Sequence, residues 1–319
     1  MIKAQNITKR YGLRNAVSDM TFTVGDGEIV GFLGPNGAGK STTMNILTGY
    51  IAPTEGTVEI DGHDIMTDTV QAKKSIGYLP EQPPLYLEMT VDEYLNFVYE
   101  LKGCTLNRKK HIEDVMNVTK IADVKDRVIK NLSKGYKQRV GIAQAIVGDP
   151  KTIILDEPTI GLDPKQIIEI RNLIRILGRD HAVILSTHIL SEVQVVCDRL
   201  IIVNKGRIVA DERTEDITRA VDGSSRIQAM ICGPAKSVYS AIRSLDGVVR
   251  VDQIAGHDLD STTYIIESEP GADIRRDLFK LLAENDWPIV GLENKSMDLE
   301  HVFIALTGEK GAKKKTIRK

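Results

Sequence analysis

The sequence predicts an α/β protein built on a parallel sheet, with an antiparallel β subdomain and a helical insert, followed by a small α+β domain. Three observations carry this. Short β-branched apolar runs such as TIILDEP and AVILSTHIL alternate with helical stretches, as buried parallel strands do. Between about residues 88 and 148 the β character disappears. From about residue 224 the order becomes strand–helix–strand–strand–helix–strand.

In chain order, residues 1–33 alternate β-rich runs with turn signals, and MTFTV and EIVGFLG read as two strands joined by the tight loop Gly25-Asp26-Gly27. A helix follows in STTMNILTGY, then a strand pair in GTVEIDGHDI turning at Asp61-Gly62. The insert comprises VDEYLNFVYELKG, NRKKHIEDVMNVTKIADV and KGYKQRVGIAQAIVGD. The strand KTIILDEP, a helix over PKQIIEIRNLIRILGRD and the strand AVILSTH complete the core. Beyond it, RIQAMICG, PAKSVYSAIRSL, VVRVDQIA, TTYIIESE, ADIRRDLFKLLAENDW and PIVGLENK give βαββαβ, the ferredoxin-like order. A last helix is expected in MDLEHVFIALTG, before a basic, disordered tail. The predicted domains are 1–220, with its insert at about 88–148, then 224–307, then the tail 308–319.

Composition bounds the function. The 319 residues are 42% apolar and 27% charged, enough for a buried core. Lys plus Arg is 42 against 44 for Asp plus Glu, a net charge of −2 that leaves no basic footprint for nucleic acid. Cys104, Cys197 and Cys232 lack metal-ligand spacing and read as free thiols in a reducing compartment. The start, MIKAQNITKRYG, has no signal-peptide core, and no apolar run approaches the roughly 18 residues a membrane span needs. A cytoplasmic chain is expected, and any path across a membrane must come from another polypeptide.

The chemistry begins at GPNGAGKST, which fits G-x-x-x-x-G-K-[ST] between a strand and a helix. Gly34, Gly37 and Gly39 let the backbone wrap a phosphate, with Pro35, Asn36 and Ala38 between them. The following helix adds its positive end. Lys40 supplies a point charge to the β- and γ-phosphates, Ser41 a hydroxyl for Mg²⁺, and Thr42 a hydroxyl near the α-phosphate. This marks the core as that of a P-loop NTPase. TIILDEP carries Asp156 and Glu157 to the carboxyl end of a buried strand, where ligand-contacting residues sit. Asp156 would hold Mg²⁺, and Glu157 would orient or deprotonate the attacking water.

LSKGYKQR, residues 132–139, resembles the signature of ABC-type ATPases, usually written LSGGQ; it keeps Leu132, Ser133 and Gly135 and departs at Lys134, Tyr136 and Lys137. The resemblance implies that Ser133 and Gly135 face the γ-phosphate of ATP bound by a partner chain, so that two chains sandwich two nucleotides. Tyr11 looks like the aromatic that stacks on adenine. Gly161-Leu162-Asp163 resembles the loop linking the two sites, which places Asp163 near ATP. His188 resembles the switch histidine that contacts the γ-phosphate and steadies Glu157. In GYLPEQPPLY the position where the family carries Gln is Glu81, with Gln82 next, and both are candidates for the Mg²⁺-sensing role. SMDLEHVFIALTG and the GYLPE stretch are similar to ATPases of type-two exporters of the multidrug, sodium and gliding-associated subgroup.

The implied protein is an ATP-binding, ATP-hydrolysing ABC transporter subunit with ATP and Mg²⁺ as cofactors. It would form a homodimer or pair with a second ABC ATPase. A separate integral membrane permease would hold it peripherally at the inner face of the cell membrane. The alternative from another class is a soluble ABC-type ATPase acting on ribosomes or DNA; a single cassette, no heptad run and near-neutral charge count against it.

Overall fold

A computed structural model of the protein describes residues 1–216, 226–254, 261–269 and 272–295. The chain divides into two compact units, Met1–Thr214 and Glu215–Lys319. The helix expected in MDLEHVFIALTG and the tail 308–319 lie outside the described residues.

The first unit contains two sheets. β1 (Ile2–Tyr11), β2 (Arg14–Val24), β4 (Glu55–Ile60) and β5 (His63–Asp64) form an antiparallel sheet in the order β2-β1-β4-β5. β4 and β5 turn at Asp61-Gly62, both with positive φ, as expected from the sequence. A second sheet has the order β10-β9-β3-β8-β7-β6, from β3 (Ile29–Leu33), β6 (Ile76–Leu79), β7 (Thr152–Asp156), β8 (Ala182–Thr187), β9 (Arg199–Asn204) and β10 (Arg207–Arg213). Its strands run parallel except β10, which pairs antiparallel with β9. Every residue of β3, β7 and β8 is buried, which explains their unbroken β-branched sequences. MTFTV and EIVGFLG are both strands, but they belong to different sheets, so Gly25-Asp26-Gly27 is a crossover and not a hairpin.

The two sheets share one core. Ile2, Ala4, Met20 and Phe22 pack with Val30, Phe32, Ile154 and Ile184 around Met44, Ile46 and Leu47 of α1 (Lys40–Leu47). Phe22 and Phe32 meet at 5.0 Å between ring centroids. This packing holds the second half of α1 against both sheets.

α2 (Thr69–Lys74) precedes β6, and the insert is α3 (Val91–Leu101), α4 (Arg108–Thr119) and α5 (Lys134–Ile146). Each insert helix starts where its sequence supplies a cap: a Thr90/Glu93 capping box, Asn107, and Ser133. Lys102, just past α3, donates to the carbonyls of Gln144 (2.9 Å), Ala145 (3.0 Å) and Val147 (2.7 Å), closing the end of α5. α5 lies so close to β6 that a Cβ on Gly77 would stand 2.3 Å from the Ala145 carbonyl oxygen. α6 (Pro164–Leu177) and α7 (Leu190–Val196) complete the unit.

In the second unit β11 (Arg226–Cys232), α8 (Ala235–Arg243), β12 (Val248–Ile254), β13 (Ser261–Ser268), α9 (Arg275–Glu284) and β14 (Ile289–Lys295) follow in the expected βαββαβ order. The sheet order is β12-β13-β11-β14, all antiparallel, as in ferredoxin-like folds. Ile227, Ala229, Tyr264 and Ile266 meet Val238, Ile242, Leu278 and Leu282 in its own core.

Candidate active site

β3, β6, β7 and β8 end on the same edge of the parallel sheet. Their carboxyl ends therefore bring Gly34, Glu81, Asp156-Glu157 and His188 to one place, although the sequence spreads them over more than 150 residues. The glycines there are obligatory for two reasons. A Cβ on Gly34 would fall 2.4 Å from the Val203 carbonyl oxygen of β9. Gly39 has φ +108° and would place a Cβ 2.6 Å from the Ala16 oxygen. The loop is further fixed by Ala38 N donating to the Pro35 carbonyl (3.1 Å) and Gly206 N to the Ala38 carbonyl (2.8 Å).

A cavity of about 870 Å³ opens at this edge. Asn36, Gly37, Gly39, Lys40, Ser41 and Thr42 line it, with Tyr11, Glu81, Glu157 and His188. Gly34, Pro35 and Ala38 are not part of its wall. The Lys40 ammonium is buried, donates to the Gly34 carbonyl at 2.8 Å, and stands 3.6 Å from a Glu157 carboxylate oxygen. Glu157 adopts φ +50°, an uncommon conformation for a non-glycine residue, and its N–H donates to the Ser186 carbonyl at 2.9 Å. Its carboxylate meets His188 Nδ1 at 3.0 and 3.1 Å. Tyr11, 54% exposed, has the Lys9 ammonium 5.4 Å from its ring centroid.

Asp156 lies deeper. It is 3% exposed, and its Oδ1 has no hydrogen-bond partner. Burial pushes its carboxyl above the usual range, opposed by Ser186 and Ser41 hydroxyls and reinforced by the charges of Glu157 and Glu81. A hard divalent cation suits such a place: an orphaned carboxylate oxygen beside the Ser41 hydroxyl and Glu81. Among the described residues no cluster of three or more His, Cys, Asp or Glu forms a self-sufficient metal cage. Mg²⁺ fits this limit, since it is commonly held by one or two carboxylates with substrate phosphates and water.

Of the two candidates in GYLPEQPPLY, Glu81 lines the cavity. Gln82 does not; it lines a second pocket, which Glu81 also lines, with Pro83, Leu85, Lys134, Lys137 and Gln138. Ser133, Gly135 and Asp163 are also absent from the cavity wall. Ser133 caps α5, Asp163 caps α6, and Gly135 packs so closely on Gln166 that a Cβ would lie 2.6 Å from its amide carbon. Six wall residues were missed in the sequence: Arg14, Asn15, Ala16, Ile160, Lys205 and Gly206. All but Ile160 sit at two hairpins, after Gly12 and at Lys205-Gly206, whose positive φ values mark turns. The turn-forming glycines are the signal that would have found them.

Residues 17–160 match the ABC transporter family. The chain belongs to that family, in the class of its ATP-binding, ATP-hydrolysing subunits. The linearmycin resistance ATP-binding protein LnrL of Bacillus subtilis is 32% identical over 97% of this chain and 98% of its own. The bacitracin transport ATP-binding protein BcrA of Bacillus licheniformis is 36% identical over 66% of this chain and 69% of its own. Among solved structures, the dimeric ATP-binding cassette MJ0796 bound to ADP and Pi aligns with a TM-score of 0.61 and 28% identity, over 67% of this chain and 99% of that one.

Proposed function

We propose that the protein binds MgATP in the cavity at the sheet edge, hydrolyses it as a dimer, and drives a separate membrane permease in export. The observation that carries this reading is the convergence on the Glu157 carboxylate of Lys40, at 3.6 Å, and His188, at 3.0 Å, beside the phosphate loop. Tyr11 stacks on the base, while Gly34, Pro35, Asn36, Gly37, Ala38, Gly39, Lys40, Ser41 and Thr42 hold the phosphates. Asp156, Ser41 and Glu81 would hold Mg²⁺, which neutralises charge on the β- and γ-phosphate oxygens when bound. Glu157 takes a proton from the attacking water as its oxygen bonds to the γ-phosphorus. The bond to the β,γ-bridging oxygen breaks, leaving ADP and phosphate. His188 holds the Glu157 carboxylate in place.

The location of Ser133 and Gly135 outside the cavity wall supports their action on a partner's nucleotide, with Asp163 in the loop that links the two sites. The dimeric cassette bound to ADP and Pi supports the same arrangement. Among the described residues no helix is long and apolar enough to cross a membrane, which agrees with a permease on another chain and a peripheral place on the membrane's inner face. The names of LnrL, BcrA and the lipopolysaccharide export protein LptB of Haemophilus influenzae favour export over the ribosome or DNA alternative. The two units are read as an ATPase domain over 1–220 and an accessory domain over 224–307.

The test is Glu157→Gln. Loss of a general base lowers turnover by about 10²–10⁴-fold, and ATP should then trap a dimer visible by size-exclusion chromatography. A variant that hydrolyses ATP at the parent rate would remove Glu157 from the mechanism.

A further inference from the structure

Glu192 is a buried carboxylate that the hydrolytic scheme does not use. It lies in α7, is 2% exposed, and receives two hydroxyl hydrogen bonds on the same oxygen: from Thr159 Oγ1 at 2.7 Å and Thr187 Oγ1 at 3.0 Å. Both threonines are buried, at 5% and 0% exposure. Thr159 stands two residues after Glu157, and Thr187 immediately precedes His188. The Thr187 oxygen is also committed to the next turn, accepting from Ile189 N at 3.1 Å. One carboxylate oxygen thus joins the segment leaving β7 to the segment leaving β8.

We propose that Glu192 is a positioning residue of the hydrolytic site: it ties the segment after Glu157 to the segment carrying His188 and so sets the geometry of that pair. On the near side, the two segments touch through the Glu157–His188 contact and the Glu157 N–H to Ser186 carbonyl bond. Beyond the two strand ends, Glu192 is the bridge. The near-side contacts and the strand pairing fix the ends of β7 and β8; the Glu192 tie extends that constraint to Thr159 and Thr187, the residues flanking the pair. Glu157 needs such bracing because its backbone sits at φ +50° and would otherwise relax. Packing alone does not account for a carboxylate here. Burying a charge is costly, and an apolar side chain of similar volume would fill the space with less penalty. This inference rests on the proposed roles of Glu157 and His188.

The two faces of threonine separate a hydroxyl tie from a packing role. Thr159→Val keeps the volume and deletes the donor; Thr159→Ser keeps the donor and deletes a methyl. In the full chain with MgATP, the valine variant should lose about tenfold in kcat, the scale of one buried bond to a charged group, with KM within about twofold. The serine variant should stay closer to the parent. In protein carrying ¹⁵N-labelled histidine, the His188 ring resonances, assigned by their loss in His188→Ala, should move in Thr159→Val toward their place in Glu157→Ala. Any other order of the two variants, or unmoved His188 resonances in Thr159→Val, overturns the proposal. The two failures are distinguishable. Glu157→Gln turning over at the parent rate sinks the catalytic reading and leaves the resonance measurement standing; an inactive Glu157→Gln with serine worse than valine removes only the tie.

Discussion

Asp156→Asn should make the protein more stable without nucleotide and less stable than the parent with it. The carboxylate is almost fully buried, one of its oxygens has no donor, and the charges of Glu157 and Glu81 act on it unfavourably. Asparagine is nearly the same shape, removes the charge, and turns one oxygen into an amide that can donate to a neighbouring carboxylate. Relief of a buried unsatisfied acceptor with like-charged neighbours is worth about 1–3 kcal/mol. In a unit of this size each kcal/mol moves Tm by roughly 2–4 °C, so the variant should melt about 2–12 °C higher. Saturating MgATP should reverse the order: ligand at about 1,000 times Kd stabilises the parent by about 4.1 kcal/mol, and the variant loses the residue that would hold the cation.

The effect has a sign in pH. The folded carboxyl is held above its unfolded value, so the folded chain binds the proton more tightly. The penalty is therefore complete at pH values above the raised folded pKa, and shrinks as pH falls toward the ordinary aspartate value of about 3.9. The Tm gap between variant and parent should accordingly be widest near neutral pH and close on acidification. Scanning fluorimetry with and without MgATP, at neutral and mildly acidic pH, measures all of this. A variant less stable than the parent without nucleotide at neutral pH, or one that keeps the full MgATP shift, would refute the reasoning.

Two further outcomes follow from single contacts. Tyr11→Ala should weaken nucleotide binding by about 5–150-fold, the worth of one stacked base at about 1–3 kcal/mol, and Tyr11→Trp should retain it; an unchanged Kd in a fluorescent-nucleotide titration would take Tyr11 out of the site. Lys102→Met removes the only side-chain donor seen on the Gln144, Ala145 and Val147 carbonyls among the described residues, and should cost about 2–3 kcal/mol in urea unfolding. A loss below about 0.5 kcal/mol would mean that water replaces the ammonium at little cost.

The readable parts of the sequence are those where local pattern and burial agree. β3, β7 and β8 are buried on both faces, so their composition announces them, and Gly34 to Ser41 announce a phosphate loop because backbone geometry demands those residues. β6 was hidden for the opposite reason. It has only four residues, Ile76–Leu79, and the prolines just after it give the stretch the look of a loop. The short helices α2 and α7 and the strands β9 and β10 were likewise not read, the helices being too brief to show a helical period. Arg14, Asn15 and Ala16 escaped because a hairpin of one sheet delivers them to the edge of the other. The different placement of Glu81 and Gln82 was beyond sequence too: both line one pocket, but Glu81 alone also reaches the cavity beside the phosphate loop.

The arrangement of costs explains why this edge of the sheet can do chemistry. A buried carboxylate with one orphaned oxygen at Asp156, a left-handed backbone at Glu157 and a buried carboxylate at Glu192 each disfavour folding; the first two sit at the end of β7, and the third bonds threonines just beyond β7 and at the end of β8. Fully buried neighbouring strands in continuous register leave those ends little freedom to relax. On the proposed reading, a nucleotide and its cation bound at this edge would relieve the cost at Asp156, and product release would restore it. On this account the stability gained in Asp156→Asn and the rate lost in Thr159→Val are two readings of one property: the site is rigid because the sheet is, and costly because it must respond to phosphate.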